Sequence, residues 1–358
     1  MSVTSYGVND ALSNKLWAKK LNLEALKQTY FGRFMGEGSS NMIQVKTDFE
    51  KSAGDELTIG LRVQLEGDGT TEGQVLQGNE EALSTYSDKF KINELAHAVR
   101  VRNKNTIDAQ RVPFNLRSEA KDGLNDWFSN RFDTCMANHL CGNTLATDGR
   151  YTGNNTVTAP STNRIYRPGG ATDDATINGD NTKFFKLDII DAFVEAAGTA
   201  SPMIRPIMVN GEKKYLGFLH DYQVTAMRTS TDAGQWLDIQ KAALAGGAAS
   251  KSPIYTGALG EYNNVVLHKW NRITNGISNA GAVQANTRRA VFCGAQAGVV
   301  GFGKEFSKGS HFKWIEELFD YERELGVSGQ TVWGIKKSVF NSEDFGVWVA
   351  TTYAAKKA

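Results

Sequence analysis

Cysteine is scarce in this 358-residue chain, and the three present, Cys135, Cys141 and Cys293, are too irregularly spaced for a disulfide framework or a zinc site. Buried free thiols in a reducing compartment are expected instead. Proline is scarce too, with six residues, whereas the 36 glycines exceed an average usage of about 7%. That balance favours backbone that bends over loops that stiffen. No stretch approaches the roughly 18 apolar residues that cross a bilayer, and the opening Met1 to Gly7 lacks the basic and apolar regions of a signal peptide. The chain is therefore expected to be made and kept in solution. Neither sign of charge is in excess. The 40 basic and 39 acidic residues leave +1, which excludes the electrostatic footprint of a tight nucleic-acid binder. Any DNA nearby would be enclosed, not gripped.

Signatures of catalysis are also missing. There is no Gly-x-Ser-x-Gly elbow and no His-Glu-x-x-His pair, and the histidines at 97, 139, 220, 268 and 311 lie far apart. No catalytic, cofactor-binding or metal residue is assigned. Gly298 to Lys304 has the glycine and lysine spacing of a nucleotide-binding loop, but Glu305 stands where a hydroxyl would hold magnesium and would repel phosphate. A nucleotide-binding protein built on this stretch is the first alternative. Asp174 to Asp180 begins like a calcium loop, yet Phe185 occupies the twelfth position, so a solvated turn is expected. The acidic cluster Glu316, Glu317, Asp320, Glu322 and Glu324 reads as a solvated face or charged rim.

What is present is a sequence of architectural pieces. Residues 1–42 place Leu12, Leu16, Leu23, Leu26 and Tyr30 at helical spacing and end in a glycine-rich run, as an amphipathic arm would. Its stripe must be buried on its own body or on another subunit, and the second is favoured. Between 43 and 102, Leu57, Ile59, Leu61, Val63 and Leu65 alternate with polar residues. A second strand runs from Lys89 to Arg102, and its apolar phase shifts by one near Asn93 and Glu94, predicting a bulge. The glycine- and acid-rich stretch between them, with Gly67, Asp68, Gly69 and Gly73, predicts a long hairpin tip. Such a hairpin packs either on its own domain or on another chain. Pro113 and the apolar spacing from Leu116 to Leu140 predict a helix of roughly 28 residues that stops at Gly142. Residues 143–185 are polar and without period, as in a surface insertion; their asparagines and threonines make a carbohydrate-binding surface protein the second alternative. Strand and helix then alternate from Lys186 to about 309, and two strands at Thr331 to Phe340 and Phe345 to Tyr353 flank a four-residue turn. The fold class is α+β.

Several stretches resemble one family of tailed-bacteriophage major capsid proteins: Gly54 to Ile59, Leu76 to Glu81, Phe218 to His220 with Gln223, Trp236 with Gln240, and Pro253 to His268. The resemblance spans Trp17 to about Val349. It implies the Johnson-type capsid fold shared with the herpesvirus floor domain and encapsulins. On that fold the N-terminal arm is 1–42, the extended loop 43–102, the peripheral domain 103–142 with 310–358, and the axial domain 186–309, with 143–185 unassigned between the last two. The resemblance further implies a structural, non-enzymatic protein that self-assembles as hexamers and pentamers around double-stranded DNA. Its partners would be copies of itself, a separate scaffolding protein, a portal and a decoration protein, with assembly in the host bacterial cytoplasm and no membrane. Candidate contacts between copies are Leu12, Leu16, Leu23, Leu57, Ile59, Leu61, Gly67, Asp68, Gly69, Gly73, Phe90 and Ile92.

Overall fold

A computed structural model of the chain describes residues 29–46, 55–62, 65, 67–83, 85–102, 106, 116–209, 211–230, 232, 260–303 and 311–356. In chain order these form β1 (Met35–Gly36), β2 (Ile43–Lys46), β3 (Glu56–Arg62), β4 (Thr85–Lys91) and β5 (Asn93–Arg102), then the long helix α1 (Leu116–Cys141). A single turn α2 (Gly149–Thr152) and β6 (Ile165–Tyr166) precede α3 (Asp188–Thr199), β7 (Ile207–Val209), β8 (Glu212–Leu219) and α4 (Asp221–Thr229). The remainder is β9 (Gly260–Tyr262), β10 (Val265–Lys269), β11 (Gly276–Ile277), β12 (Val283–Gln284), β13 (Thr287–Cys293), β14 (Gly298–Phe302), β15 (Phe312–Phe319), β16 (Glu324–Lys337), β17 (Val339–Phe340), β18 (Glu343–Asp344) and β19 (Val347–Tyr353).

Two sheets share α1 as their spine. The first runs β1-β2-β14-β16-β15, with β5 also paired to β16; the second runs β6-β19-β13-β8-β10-β9, with β7 on β8. The N-terminal half of α1 buries Ala120, Leu124 and Phe128 against Phe312, Trp314, Leu325 and Val327 of the first sheet. Its C-terminal half places Phe132, Met136 and Leu140 in one core with Val300 and Ile335 of the first sheet and Val291 and Val349 of the second. The stop predicted at Gly142 is present: this residue takes φ +66, and the Asn143 N–H reaches back to the Asn138 carbonyl at 2.8 Å. α3 lays Ile189, Ile190 and Phe193 on the second sheet, over Phe292 and Trp348. α4 opens on a capping box in which the His220 ring accepts from Tyr222 and the Gln223 side chain accepts from the His220 N–H.

Two expectations about the strands are corrected, and the nucleotide-loop alternative meets a strand instead. The phase shift at Asn93 is a change of partner, not a bulge. β4 pairs with β3 up to Lys91, Ile92 belongs to neither strand, and β5 then pairs with β16 over Arg102↔Glu324 to Asn93↔Trp333. Gly298 to Phe302 is no phosphate loop; it is the fully buried strand β14, held between β2 and β16, so its backbone groups belong to the ladder. Lys304 lies outside the described residues. The turn after β17 holds two residues, Asn341 and Ser342, both at positive φ (50° and 62°), as a tight hairpin of primed type requires.

The polar stretch 143–185 is bolted to the core instead of floating on it. Asp174, expected in a solvated turn, is fully buried. One carboxylate oxygen accepts from Arg167 Nε at 2.6 Å; the other accepts from Arg289 Nε and Nη2 at 3.1 and 2.8 Å and from the Ile277 N–H at 2.9 Å. Arg289 Nη1 then donates to the Cys141 and Gly142 carbonyls at the end of α1. A second bolt joins buried Lys337 to Asp344, with Lys337 Nζ also donating to the Thr158 and Ala159 carbonyls and Asp344 accepting from the Ser161 N–H. Burial pushes the Lys337 pKa down and that of Asp344 up. Removing one member of such a pair leaves the other charge buried and uncompensated. Asp174→Ala is therefore expected to lower subunit stability by about 3–5 kcal/mol in denaturant unfolding. The same change at exposed Asp68 should leave stability within about 0.5 kcal/mol of the original.

Candidate assembly surfaces

β3 and β4 form a two-stranded ribbon in register from Glu56↔Lys91 to Arg62↔Thr85. Among the described residues, only its base has a core. Phe90 is fully buried beside Val299, and Leu57, Ile59 and Ile92 lean half-buried on the same cluster. Beyond the base, Leu65, Val75, Leu76 and Leu83 are 57–69% exposed. The tip is ordered by its own polar turns. Gly67 N–H donates to Glu81 at 2.7 Å, Thr71 N–H to Gln74 at 2.9 Å and Gly78 N–H to Glu80 at 2.7 Å, while Gly69, Gly73 and Gly78 take φ of +70, +88 and +90. Glu66, Asp68, Glu72, Glu80 and Glu81 fall between 65 and 84 with no lysine or arginine among them. The tip is thus an acidic frame around exposed apolar residues, a surface suited to an apolar partner with basic or neutral edges.

Asn155 is central to the joint between the ribbon and the body. Asn155, 7% exposed, accepts the Lys91 N–H through Oδ1 at 2.8 Å, and its Nδ2 lies 2.8, 3.1 and 3.0 Å from the Lys91, Ile335 and Gly153 carbonyls. The side-chain amide offers both an acceptor and a donor, as a peptide unit does, so Asn155 fills the gap between the end of β4 and β16 like a missing strand residue. Close approach completes the joint. A Cβ at Gly334 would collide with the Lys91 carbonyl oxygen, and Lys336 pairs with Asp88 from the neighbouring position.

The root of the N-terminal arm is fixed elsewhere. Phe31 is fully buried, edge-on to Phe218 and Trp270 at 5.3 and 4.7 Å, and Tyr30 Oη donates to the Lys269 carbonyl. Asp133 of α1 accepts the Tyr30 N–H at 3.1 Å. Burial pushes the Asp133 carboxyl up to about 6, against the opposing pull of the Tyr30 and Phe31 amides and Arg272.

These placements revise the candidate contacts. Gly67, Asp68, Gly69 and Gly73 are exposed at the ribbon tip, and Leu61 is half-buried on its shaft. Phe90 is fully buried in the core of its own subunit, and Ile92, Leu57 and Ile59 serve the ribbon base. Leu12, Leu16 and Leu23 lie outside the described residues. Sequence reasoning missed Asn155, whose only local signal is the turn-forming run Gly153-Asn154-Asn155.

Burial pushes the Cys135 thiol up to about 12 and holds His139, His220 and His268 down at about 4. Glu316, expected on a solvated face, is 2% exposed and accepts from Arg117 and from the Trp314 indole. Among the described residues no three His, Cys, Asp or Glu side chains gather as a metal site would need.

A family model described as phage capsid protein matches residues 5–356. The major capsid protein of Pseudomonas phage KPP25 is 25% identical, the match covering 93% of each chain. Among solved structures, the capsid of Ralstonia phage GP4 aligns over the whole of both chains at 31% identity with a TM-score of 0.77. The capsid of cyanophage Pam1 aligns over 93% of this chain and 94% of its own at 21% identity, with a TM-score of 0.72.

Two outcomes follow from the joints. Asn155→Ala leaves backbone groups of Lys91 and Ile335 without partners, so it should cost about 1–3 kcal/mol and speed hydrogen exchange of the Lys91 amide. Unchanged protection there would refute the strand-substitute role. For Asp133 the unfolded carboxyl titrates near 3.8 and the folded one near 6. Its contribution is therefore fully present below about 4 and is lost as pH rises through 6, a decline on the order of 3 kcal/mol that Asp133→Asn should abolish in melts across that range.

Proposed function

The chain belongs to the phage capsid protein family and builds a capsid shell from copies of itself, and from that premise we propose how it does so. Each subunit lays its ribbon across a neighbour, and the subunits gather as hexamers and pentamers into an icosahedral head that encloses double-stranded DNA. The observation that carries this reading is the ribbon itself, with a core at its base and four large apolar side chains exposed beyond it. A two-stranded ribbon is marginal in water, so those residues are stabilised when a second subunit covers them. In this reading 1–42 is the arm, 43–102 the extended loop, 103–142 with 310–358 the peripheral domain and 186–309 the axial domain. The pairing of β6 with β19 and β19 with β13 favours placing 143–185 beside the second sheet.

The protein acts through geometry, not turnover. A scaffolding protein, a portal and a decoration protein complete the proposed partners, with assembly in the host cytoplasm. DNA is enclosed without sequence-specific contact, in keeping with the formal charge of +1. Many weak contacts made at once suffice, because closure raises the effective concentration of each.

Gly69 takes φ +70, which a β-branched residue resists, and a side chain at Gly67 would displace Glu81. Gly69→Val and Gly67→Val should therefore reduce particle yield by about tenfold or more while the melting temperature of free subunits stays within about 2 °C. Electron microscopy and thermal melts check this, and normal particles from both variants would count against the proposal.

A further inference from the structure

The stretch from Asp174 to Asp180, which begins like a calcium loop, holds one of the chain's Asn-Gly pairs; the pairs start at Asn178, Asn210 and Asn275. An asparagine before a glycine can shed its side-chain amide without a catalyst, because the next peptide nitrogen attacks the amide carbon and no Cβ obstructs it. The attack requires that nitrogen to be free of other partners and the backbone around it to be open to water. Structure therefore separates the pairs. Asn210 lies outside the described residues.

Asn275 is locked. The Gly276 N–H donates to Thr287 Oγ1 at 3.0 Å, and Asn275 Oδ1 accepts from Arg288 Nη1. Gly276 is buried in β11, where a Cβ would meet Thr287, Asp174 and Thr351 at 2.6, 2.8 and 2.9 Å. Asn178 is the opposite case. Asn178 and Gly179 are both exposed, and among the described residues nothing accepts from the Gly179 N–H or from Asn178 Nδ2. Asn178 Oδ1 accepts the Asp180 N–H at 3.3 Å, an Asx turn that folds the side chain along the backbone following it. That N–H meets the oxygen on which negative charge grows during the attack. Both flanks are fixed, since Ile177 is buried and Asp180 Oδ1 accepts the Thr182 N–H at 3.0 Å.

We propose that Asn178 is a self-modifying site, converted to aspartate and isoaspartate through a cyclic imide formed with Gly179. The Gly179 nitrogen gives its proton to water and bonds to Asn178 Cγ; the Cγ–Nδ2 bond breaks, and ammonia leaves with one proton. Water then opens the imide. Attack at Cγ gives aspartate, and attack at the main-chain carbonyl carbon of residue 178 gives isoaspartate. Water is the only co-reactant, and nothing is oxidised or reduced. Each conversion sets a carboxylate in place of a neutral amide beside Asp180, taking the formal charge of the subunit from +1 to zero. In a shell of many copies, charge then comes to differ from copy to copy with age.

Full-length free subunits held in mildly alkaline buffer, then digested and read by mass spectrometry, test this. Conversion at Asn178 should outpace conversion at Asn275 by about tenfold or more, the factor set by one hydrogen bond on the attacking nitrogen. Isoaspartate should accompany aspartate at position 178. A Cβ at Gly179 would lie 3.5 Å from the Tyr353 ring, an ordinary contact, so Gly179→Ala should fold normally. That variant should convert about tenfold more slowly, because the methyl group crowds the attack. Equal rates at Asn178 and Asn275 would overturn the proposal. So would aspartate without isoaspartate, the mark of direct hydrolysis, or undiminished conversion in Gly179→Ala. All of these readouts come from free subunits and stand apart from the shell-building reading.

Discussion

A two-stranded ribbon has no second layer against which to bury its side chains, and this shortage of cover governs how the rest of the subunit is arranged. The first turns of the ribbon borrow cover from the body, through Phe90, Val299 and the close approach at Gly334. Farther out that supply ends, and Leu65, Val75, Leu76 and Leu83 stay in water. The tip can keep its shape alone because its order comes from short polar turns. What it cannot do alone is satisfy its apolar residues. In the proposed shell a neighbouring subunit supplies the missing layer, and the joint at Asn155 gives the ribbon a defined direction from the body.

Buried polar groups serve as locators throughout the body. Asp174 with Arg289, the Lys337–Asp344 pair with residues 158–161, and Asn155 with Lys91 and Ile335 each tie chain segments that are distant in sequence. Their desolvation cost is substantial, and apolar residues of equal volume could stabilise as much. An ionic or amide contact, however, is satisfied in one arrangement only, whereas an apolar contact tolerates sliding. For a segment such as 143–185, which has little apolar periodicity of its own, position is fixed by these few directional contacts.

The legible parts of the chain were those in which local pattern and tertiary role agree. The spacing from Leu116 to Leu140 and the stop at Gly142 specify α1, because its apolar residues meet the first sheet at one end and both sheets at the other. The alternation from Leu57 to Leu61 specifies β3 in the same way. Illegible parts are those whose meaning depends on a distant partner. A one-residue phase shift is common to a bulge and to a strand that changes neighbours, so Ile92 alone could not announce that β5 would pair with β16. Asp174 reads as a surface acid until Arg289, 115 residues on, is brought beside it. The glycines at 298 and 303 mimic a phosphate loop for another reason: a Cβ at Gly303 would press on Val332 at 2.7 Å, so strand packing, not a ligand, calls for the small residue. Of the ribbon surface, the tip glycines and its acid were legible, while Asn155 was not, since an asparagine in a turn is ordinary until its four partners are known.

The division between closed body and open projections bears on where assembly energy arises. The cores around α1 and the second sheet are fully buried within one subunit, so they contribute the same stability before and after association. Free energy that depends on neighbours must come from surfaces left open in the single subunit, and the described ribbon offers separate exposed apolar residues instead of one large apolar face. Weak individual contacts allow a misplaced subunit to leave before the shell closes, whereas strong ones would trap it. Once a subunit touches several neighbours, the same contacts act together and departure requires breaking all of them. A rigid body with ordered but uncovered projections therefore reconciles two demands: solubility of the single chain, and a shell whose stability appears only as it closes.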